Sequence, residues 1–256
     1  MIVILSDHGR DELFMEIVRA KLMSLAPDQK VMKIFETIDL GDLYTASSVL
    51  ERFAFYMGKN TIFLACVSSF NESSYVPIAM ITKDGKIFVG FDNGVFTSAI
   101  ERFGIRQIRR IDMPSGFSPS FMHSTLDVLV PTTAKLAAGM DFKEVGDLYM
   151  TYYNLKHKRA RVDGNTIKGD VSFVNGLGCI ETNIPHEFLT RIGLEMGDRV
   201  KLNGKKAFIA FDERDGQVGE LMIREGIGEY IEVFSRGVRA ADLLKVRAKS
   251  EIRLEV

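Results

Sequence analysis

The sequence predicts an α/β layer domain followed by a small β-domain. Three observations carry this. Short, wholly apolar runs alternate with apolar residues at helical spacing through residues 1–150. After Lys156-His157-Lys158-Arg159 the pattern changes to short strands close to turn signals. Hydrophobic content of 46% and charged content of 26% are those of an ordinary globular chain, and 256 residues allow two domains with substantial cores.

The elements follow in order. Residues 2–5 (IVIL) read as a buried parallel strand ending at Ser6-Asp7-His8-Gly9. Phe14, Ile17, Val18, Leu22 and Leu25 mark a helix closed by Pro27. Val31–Ile34 is a short strand. Val49, Leu50, Phe53, Tyr56 and Met57 mark a second helix, ended by Gly58. Residues 61–67 (TIFLACV) form a strongly apolar strand. Val76–Ile81 and Ile87–Phe91 flank the turn Lys83-Asp84-Gly85. Val95–Phe103 reads as a helix stopped by Gly104. Thr125–Ala138 reads as another, with Pro131 kinking it or sitting in a first turn. The domain boundary falls near 155–168, and the basic run there reads as a solvated linker or a phosphate-binding patch. Beyond it come Val171–Val174 before Asn175-Gly176 and a hairpin around Asn203-Gly204. Strands at Glu220–Ile223 and Tyr230–Phe234 and a short helix near Ala240–Leu244 complete the chain.

Several function classes drop out. A net charge of −1 offers no broad attraction to nucleic acid. No stretch has 18 consecutive apolar residues, and MIVILSDHG lacks the basic leader of a signal peptide. The cysteines, Cys66 and Cys179, have no metal spacing and read as buried thiols in a reducing cytosol. The P-loop, dinucleotide-binding and nucleophile-elbow motifs are absent. Asp7 and His8 are adjacent, so on extended backbone they point to opposite sides and cannot share a metal. No metal site is expected.

In a parallel sheet, ligands bind outside the carboxyl ends of the strands. Asp7 follows IVILS, Ser68 follows TIFLACV, and Asp92-Asn93-Gly94 follows IFVGF. These exits share one edge and suggest a crevice. Each also has a local explanation: Asp7 as a helix cap, Ser68 as turn chemistry, and Asp92-Asn93-Gly94 as a tight turn with glycine at positive φ.

These residues carry a resemblance. IVILSDHG, VGFDNGVF, SPSF with DVLVPTTAKLAAG, and GDVSFVNGLGCIETNI occur in the order of motifs in the S-adenosyl-L-methionine hydroxide adenosyltransferase family, relatives of the fluorinase and chlorinase enzymes. The match runs nearly end to end. It implies a Rossmann-like α/β domain over 1–160 and a β-barrel domain over 161–256. It also implies a homotrimer with sites between subunits and displacement at the ribose C5′ of S-adenosyl-L-methionine; the cysteine reading makes the expected location cytoplasmic. S-adenosyl-L-methionine is the substrate or ligand; no cofactor, nucleic-acid partner or membrane partner is implied.

By the resemblance, Asp7 takes the ribose hydroxyls, and Asp92, Asn93, Asn175, Leu177 and Cys179 fall at ligand-facing positions. The chain departs from the hydrolase's water-holding Asp, Arg and His. The first lies in a segment that here reads Ser68-Ser69-Phe70-Asn71-Glu72, the second falls near Tyr75-Val76, and the third falls at Ser124 beside His123. Ser68, Ser124 and His123 are therefore the candidate catalytic residues. A later Asn-Ser pair of the family is replaced around Arg224–Ile227, where Arg224, Glu225 or Arg236 could serve a different ligand. An S-adenosyl-L-methionine hydrolase with a degenerate triad, an inactive binder and a structural descendant all stay open.

Overall fold

The computed structural model describes residues 1–8, 13–34, 38–69, 76–115 and 120–256. The chain divides into two compact units, Met1–Leu155 and Lys156–Val256.

In the first unit, Ile2–Ser6 (β1), Val31–Lys33 (β2), Ile62–Cys66 (β3), Pro77–Thr82 (β4), Ile87–Phe91 (β5) and Ile105–Arg110 (β6) form one sheet in the order β2-β1-β3-β5-β4-β6. β2, β1, β3 and β5 run parallel, and β4 is antiparallel to both β5 and β6. The continuous apolar runs have the cause expected of them: every residue of β1, β3 and β4 is buried. Leu13–Leu25 (α1) buries Met15, Val18 and Leu22. Leu43–Phe55 (α2) starts at Asp42, whose carboxylate accepts the Thr45 N–H at 3.3 Å and the Thr45 hydroxyl at 2.6 Å. Thr97–Phe103 (α3) ends at Gly104, where φ is 65°.

The helix expected over 125–138 is a composite. Phe121–Ser124 (α4) passes into a π-helical turn over Thr125–Leu129 and then into Val130–Ala137 (α5). The Val130 N–H reaches back to the Thr125 carbonyl, five residues away rather than four. Pro131, in the first turn of α5, has no N–H to continue the ordinary ladder, and its ring crowds the carbonyl four residues back. The widened turn relieves that clash without ending the helix. The edge strand β6, IRQIRR, has no counterpart in the sequence reading.

The second unit opens with the basic run. Its strands are Arg161–Asp163 (β7), Thr166–Val174 (β8), Ile180–Pro185 (β9), Arg199–Leu202 (β10), Lys205–Ile209 (β11), Leu221–Glu225 (β12), Tyr230–Ser235 (β13) and Glu251–Glu255 (β14), with Glu187–Arg191 (α6) and Ala240–Leu244 (α7) between them. The order β14-β10-β11-β12-β13-β9-β8 closes because β14 also pairs with β8, and β7 adds to β8 outside the ring. This is a closed β-barrel. Ile167, Val171, Ile180, Val200, Ile223, Val233, Ile252 and Leu254 belong to its core. Asn203 and Gly204, at φ 48° and 78°, make the predicted hairpin between β10 and β11.

Candidate functional site

Strand register sets the geometry of the first cluster. Ser6 pairs with Cys66, and Ala65 pairs with Gly90. One row further, Asp7, Val67 and Asp92 leave the sheet at the same edge.

Asp7 is buried there. Its Oδ2 accepts the N–H of Ser68 at 2.9 Å and the N–H of Gly41 at 2.8 Å. The Ser68 hydroxyl lies 3.5 Å from Asp7 Oδ1 and 3.3 Å from His8 Nε2. His8 Nε2 is 3.7 Å from Asp7 Oδ1, and the imidazole keeps 20% of its surface exposed while the Asp7 side chain has none. The expectation that Asp7 and His8 point apart is therefore corrected. The backbone bends at residues 7 and 8 instead of continuing extended, and both side chains turn to Ser68.

Aromatic packing holds the bend. His8 stacks on Phe121 with centroids 5.0 Å apart and a 22° interplanar angle, and it lies 5.5 Å from Phe14. Phe91, at the end of β5, is 5.7 Å from Phe121. Three apolar rings thus wall a carboxylate, a hydroxyl and an imidazole, a setting in which polar interactions strengthen.

Ser124 lies one helical turn after Phe121, on the same face of the helix. It is fully buried, and neither its Oγ nor the Oγ1 of buried Thr125 has a hydrogen-bond partner among the described residues. Such atoms ask for a water or a ligand. His123 faces away into solvent, its Nδ1 3.0 Å from the Ser120 hydroxyl that caps α4. Residues 70–75, which hold part of the segment matched to the family's water-holding Asp and Tyr75 of its Arg position, lie outside the described residues.

Asp92 and Asn93, expected to face ligand, make hydrogen bonds within the fold. The Asp92 carboxylate accepts the Tyr149 hydroxyl at 2.9 Å and the Tyr153 N–H at 2.7 Å. Asn93 is buried; its amide donates to the Val67 carbonyl at 3.0 Å and its own carbonyl accepts the Val95 N–H at 3.1 Å. Burial, reinforced by the bond to Asp92, raises the Tyr149 pKa above its ordinary value.

In the barrel unit, the Asn175 Oδ1 accepts the N–H groups of Leu177 and Cys179 at 3.0 and 3.1 Å, building the turn between β8 and β9. Leu177 is 81% exposed. With Cys179 it flanks a concavity of about 560 Å³ that is also lined by Arg224, Phe234, Ser235 and Arg239. Burial, then the charge of Glu232, pushes the Cys179 thiol up to about 11. Cys66 is shifted the same way by burial and by Asp7, and both cysteines are unbridged.

Among the described residues no group of three or more His, Cys, Asp or Glu is arranged to hold a metal ion, and no helix is long and apolar enough to cross a membrane.

The sequence reading missed His8 as a member of the first cluster. Its signal lay in the distant apolar residues Phe14 and Phe121, which only the fold brings to the imidazole.

Comparison with known proteins bears on the family and the fold. Residues 2–146 match the family model described as the SAM hydroxide adenosyltransferase N-terminal domain. The chain is 23% identical over 256 residues to an (R)-S-adenosyl-L-methionine hydrolase of Salinispora tropica, covering 97% of this chain and 95% of that one. A protein of the same name from Methanocaldococcus jannaschii is 25% identical over 196 residues, covering 74% of this chain and 69% of that one. Among solved structures, an uncharacterized conserved protein from Thermotoga maritima superposes with a TM-score of 0.93 at 28% identity, covering 100% of both chains.

Proposed function

The chain belongs to the S-adenosyl-L-methionine hydroxide adenosyltransferase family, and from that membership we propose that it is an S-adenosyl-L-methionine hydrolase working through a rebuilt strand-exit site. One observation carries the reading: Asp7, Ser68 and His8 converge at the exits of β1 and β3 against an aromatic wall. The sulfonium is already a good leaving group, so the protein mainly has to position and desolvate water. The water oxygen forms a bond to C5′ and the C5′–sulfur bond breaks. The bonding pair stays on sulfur, and methionine and adenosine leave. Ser68 donates its one hydroxyl hydrogen to Asp7 and orients the water through its oxygen lone pairs, and His8, in the tautomer with Nε2 unprotonated, accepts the proton. This assignment replaces the family's water-holding residues with groups the sequence retains. The barrel residues Leu177 and Cys179 supply a second ligand-facing surface in this reading.

The test is chromatographic detection of adenosine from S-adenosyl-L-methionine. Loss of a proton acceptor lowers rates by about 10²–10⁴, so His8→Ala should fall that far with the ligand still bound. No adenosine above blank at high wild-type concentration would reject hydrolysis.

A second reading is favoured by one fact: the Asp7 carboxylate is already held by two backbone N–H groups. In that reading the chain binds an adenosyl ligand without turning it over. A melting shift with adenosine and no product would select it. The family resemblance also carries a homotrimer, and the unbridged cysteines a reducing compartment, which light scattering and fractionation check.

A further inference from the structure

β6 ends the order of the first sheet, and residues 147–149 lie along its outer side. The Arg110 N–H donates to the Asp147 carbonyl at 2.9 Å and the Tyr149 N–H to the Ile108 carbonyl at 3.0 Å, which sets Leu148 antiparallel to Arg109. The alternation continues past this short ladder. The Tyr153 N–H turns inward to the Asp92 carboxylate, and the Leu155 N–H to the Thr97 hydroxyl oxygen at 2.9 Å. Inward N–H groups at 149, 153 and 155 are the pattern of extended chain, so the even-numbered residues face outward. The backbone N–H and C=O groups of Leu148, Met150, Tyr152 and Asn154 have no hydrogen-bond partner among the described residues.

Nothing blunts this edge. Sheet edges left to solvent ordinarily carry lysine, proline or a bulge against unwanted pairing. The run Leu148-Tyr149-Met150-Thr151-Tyr152-Tyr153 has no charge, proline or glycine, and its tyrosines and threonine favour strands. Leu148, Met150 and Tyr153 are exposed, Met150 to 84%. Bare backbone groups and uncovered apolar side chains on one edge together call for another strand.

The charges at the ends of the run select which strand. Asp147 opens it and Lys156 follows it, both exposed. We infer that the edge over residues 147–155 is a self-association surface, on which a second copy of this chain pairs as an antiparallel strand. A twofold axis at Thr151 sets the outward Leu148 opposite Asn154 and the outward Met150 opposite Tyr152, so both pairs exchange backbone bonds. It also brings Asp147 of each copy beside Lys156 of the other, and the contact is isologous. A parallel copy would set like charges together, and a strand of unrelated sequence would leave both ends unmatched. The inference depends on neither the proposed reaction nor the trimer; added to a trimer, the edge pairs trimer with trimer.

Light scattering of the full-length protein over a dilution series tests it. Wild type should carry an even number of chains. Met150→Lys should halve that mass without changing the melting temperature, because the replaced side chain is exposed and the lysine blunts the edge. Asp147→Lys and Lys156→Glu each set like charges across the axis and should also halve it, whereas Asp147→Lys/Lys156→Glu together restore the wild-type mass. That rescue separates pairing between copies from a structural role of either residue, and it decides the matter even if Met150→Lys misfolds. A protein that forms no adenosine still gives these masses, so failure of the proposed reaction reads differently. A wild-type monomer or lone trimer at the highest concentration overturns the inference and leaves the edge to a foreign strand. A mass that survives folded Met150→Lys, or a charge-swapped double variant no heavier than the single ones, overturns it as well.

Discussion

Asn93 donates its side-chain amide to the carbonyl of Val67 at 3.0 Å, fastening the exit of β5 to the exit of β3. The same side chain closes its own turn onto Val95. The polar trio after IFVGF therefore works mainly as a clasp on the sheet edge from which Asp7 and Ser68 project.

Removing the clasp should cost stability. Asn93→Ala leaves the buried Val67 carbonyl and Val95 N–H without their partners. Each buried group so stranded costs about 1–3 kcal/mol. Urea unfolding should show a loss of about 2–6 kcal/mol at unchanged slope. A loss below about 0.5 kcal/mol would mean that water replaces both bonds.

Gly94 follows at φ 96°, and a Cβ there would sit 2.7 Å from Leu155 Cγ. A left-handed conformation alone costs a non-glycine residue about 1–2 kcal/mol. Gly94→Ala should therefore lower the melting temperature by more than Gly139→Ala, whose added Cβ meets nothing within 4 Å at nearly the same φ of 97°. Paired thermal scans isolate the steric part.

Asp7→Asn replaces a two-oxygen acceptor with a group that presents one oxygen and one N–H. With Gly41 and Ser68 both donating to Oδ2, one orientation of the amide opposes two donors. Stability should fall by about 1–3 kcal/mol, and the adenosine-induced melting shift should vanish. A variant that keeps the full shift would remove Asp7 from the ligand site.

The thiols should separate by reactivity. Cys66 is fully buried and Cys179 half-buried, so alkylation of native protein should label Cys179 alone. The rate should be slow at pH 8 and climb about tenfold per unit toward the Cys179 pKa of about 11. The sign of the linked stability follows. A thiol raised from an ordinary 9.0 to about 11 favours the folded state while protonated. That contribution is complete below about pH 9 and is lost as pH rises through about 11. Cys179→Ser should flatten this alkaline part of the stability profile.

The strands most legible in the sequence were those whose meaning is local. IVIL, TIFLAC and IFVGF lie in strands buried on both faces, and burial writes itself as an unbroken apolar run. β6 and β14 went unread because they alternate: IRQIRR lies on a sheet edge, and EIRLE points only Ile252 and Leu254 inward. The shared edge of Asp7, Ser68 and Asp92 was legible from parallel topology. What those side chains do was not. Asp92 is occupied by Tyr149 and Tyr153, and the bend that turns His8 to Ser68 is stabilised by Phe14 and Phe121. The Arg224–Phe234–Ser235 wall was hidden for the same reason, since it joins neighbouring strands of a barrel whose register no local signal announces.

The pairing of β8 with β14, Thr166 opposite Glu255, has a consequence for synthesis. On the ribosome the α/β layer has all its strands long before the barrel can seal. Until residues 251–255 emerge, β8 and β10 each present a bare margin and the ring's oily lining is open to water. The nascent second unit is thus the chain's window of vulnerability to intermolecular strand pairing, and its speed of closure sets how long that window lasts.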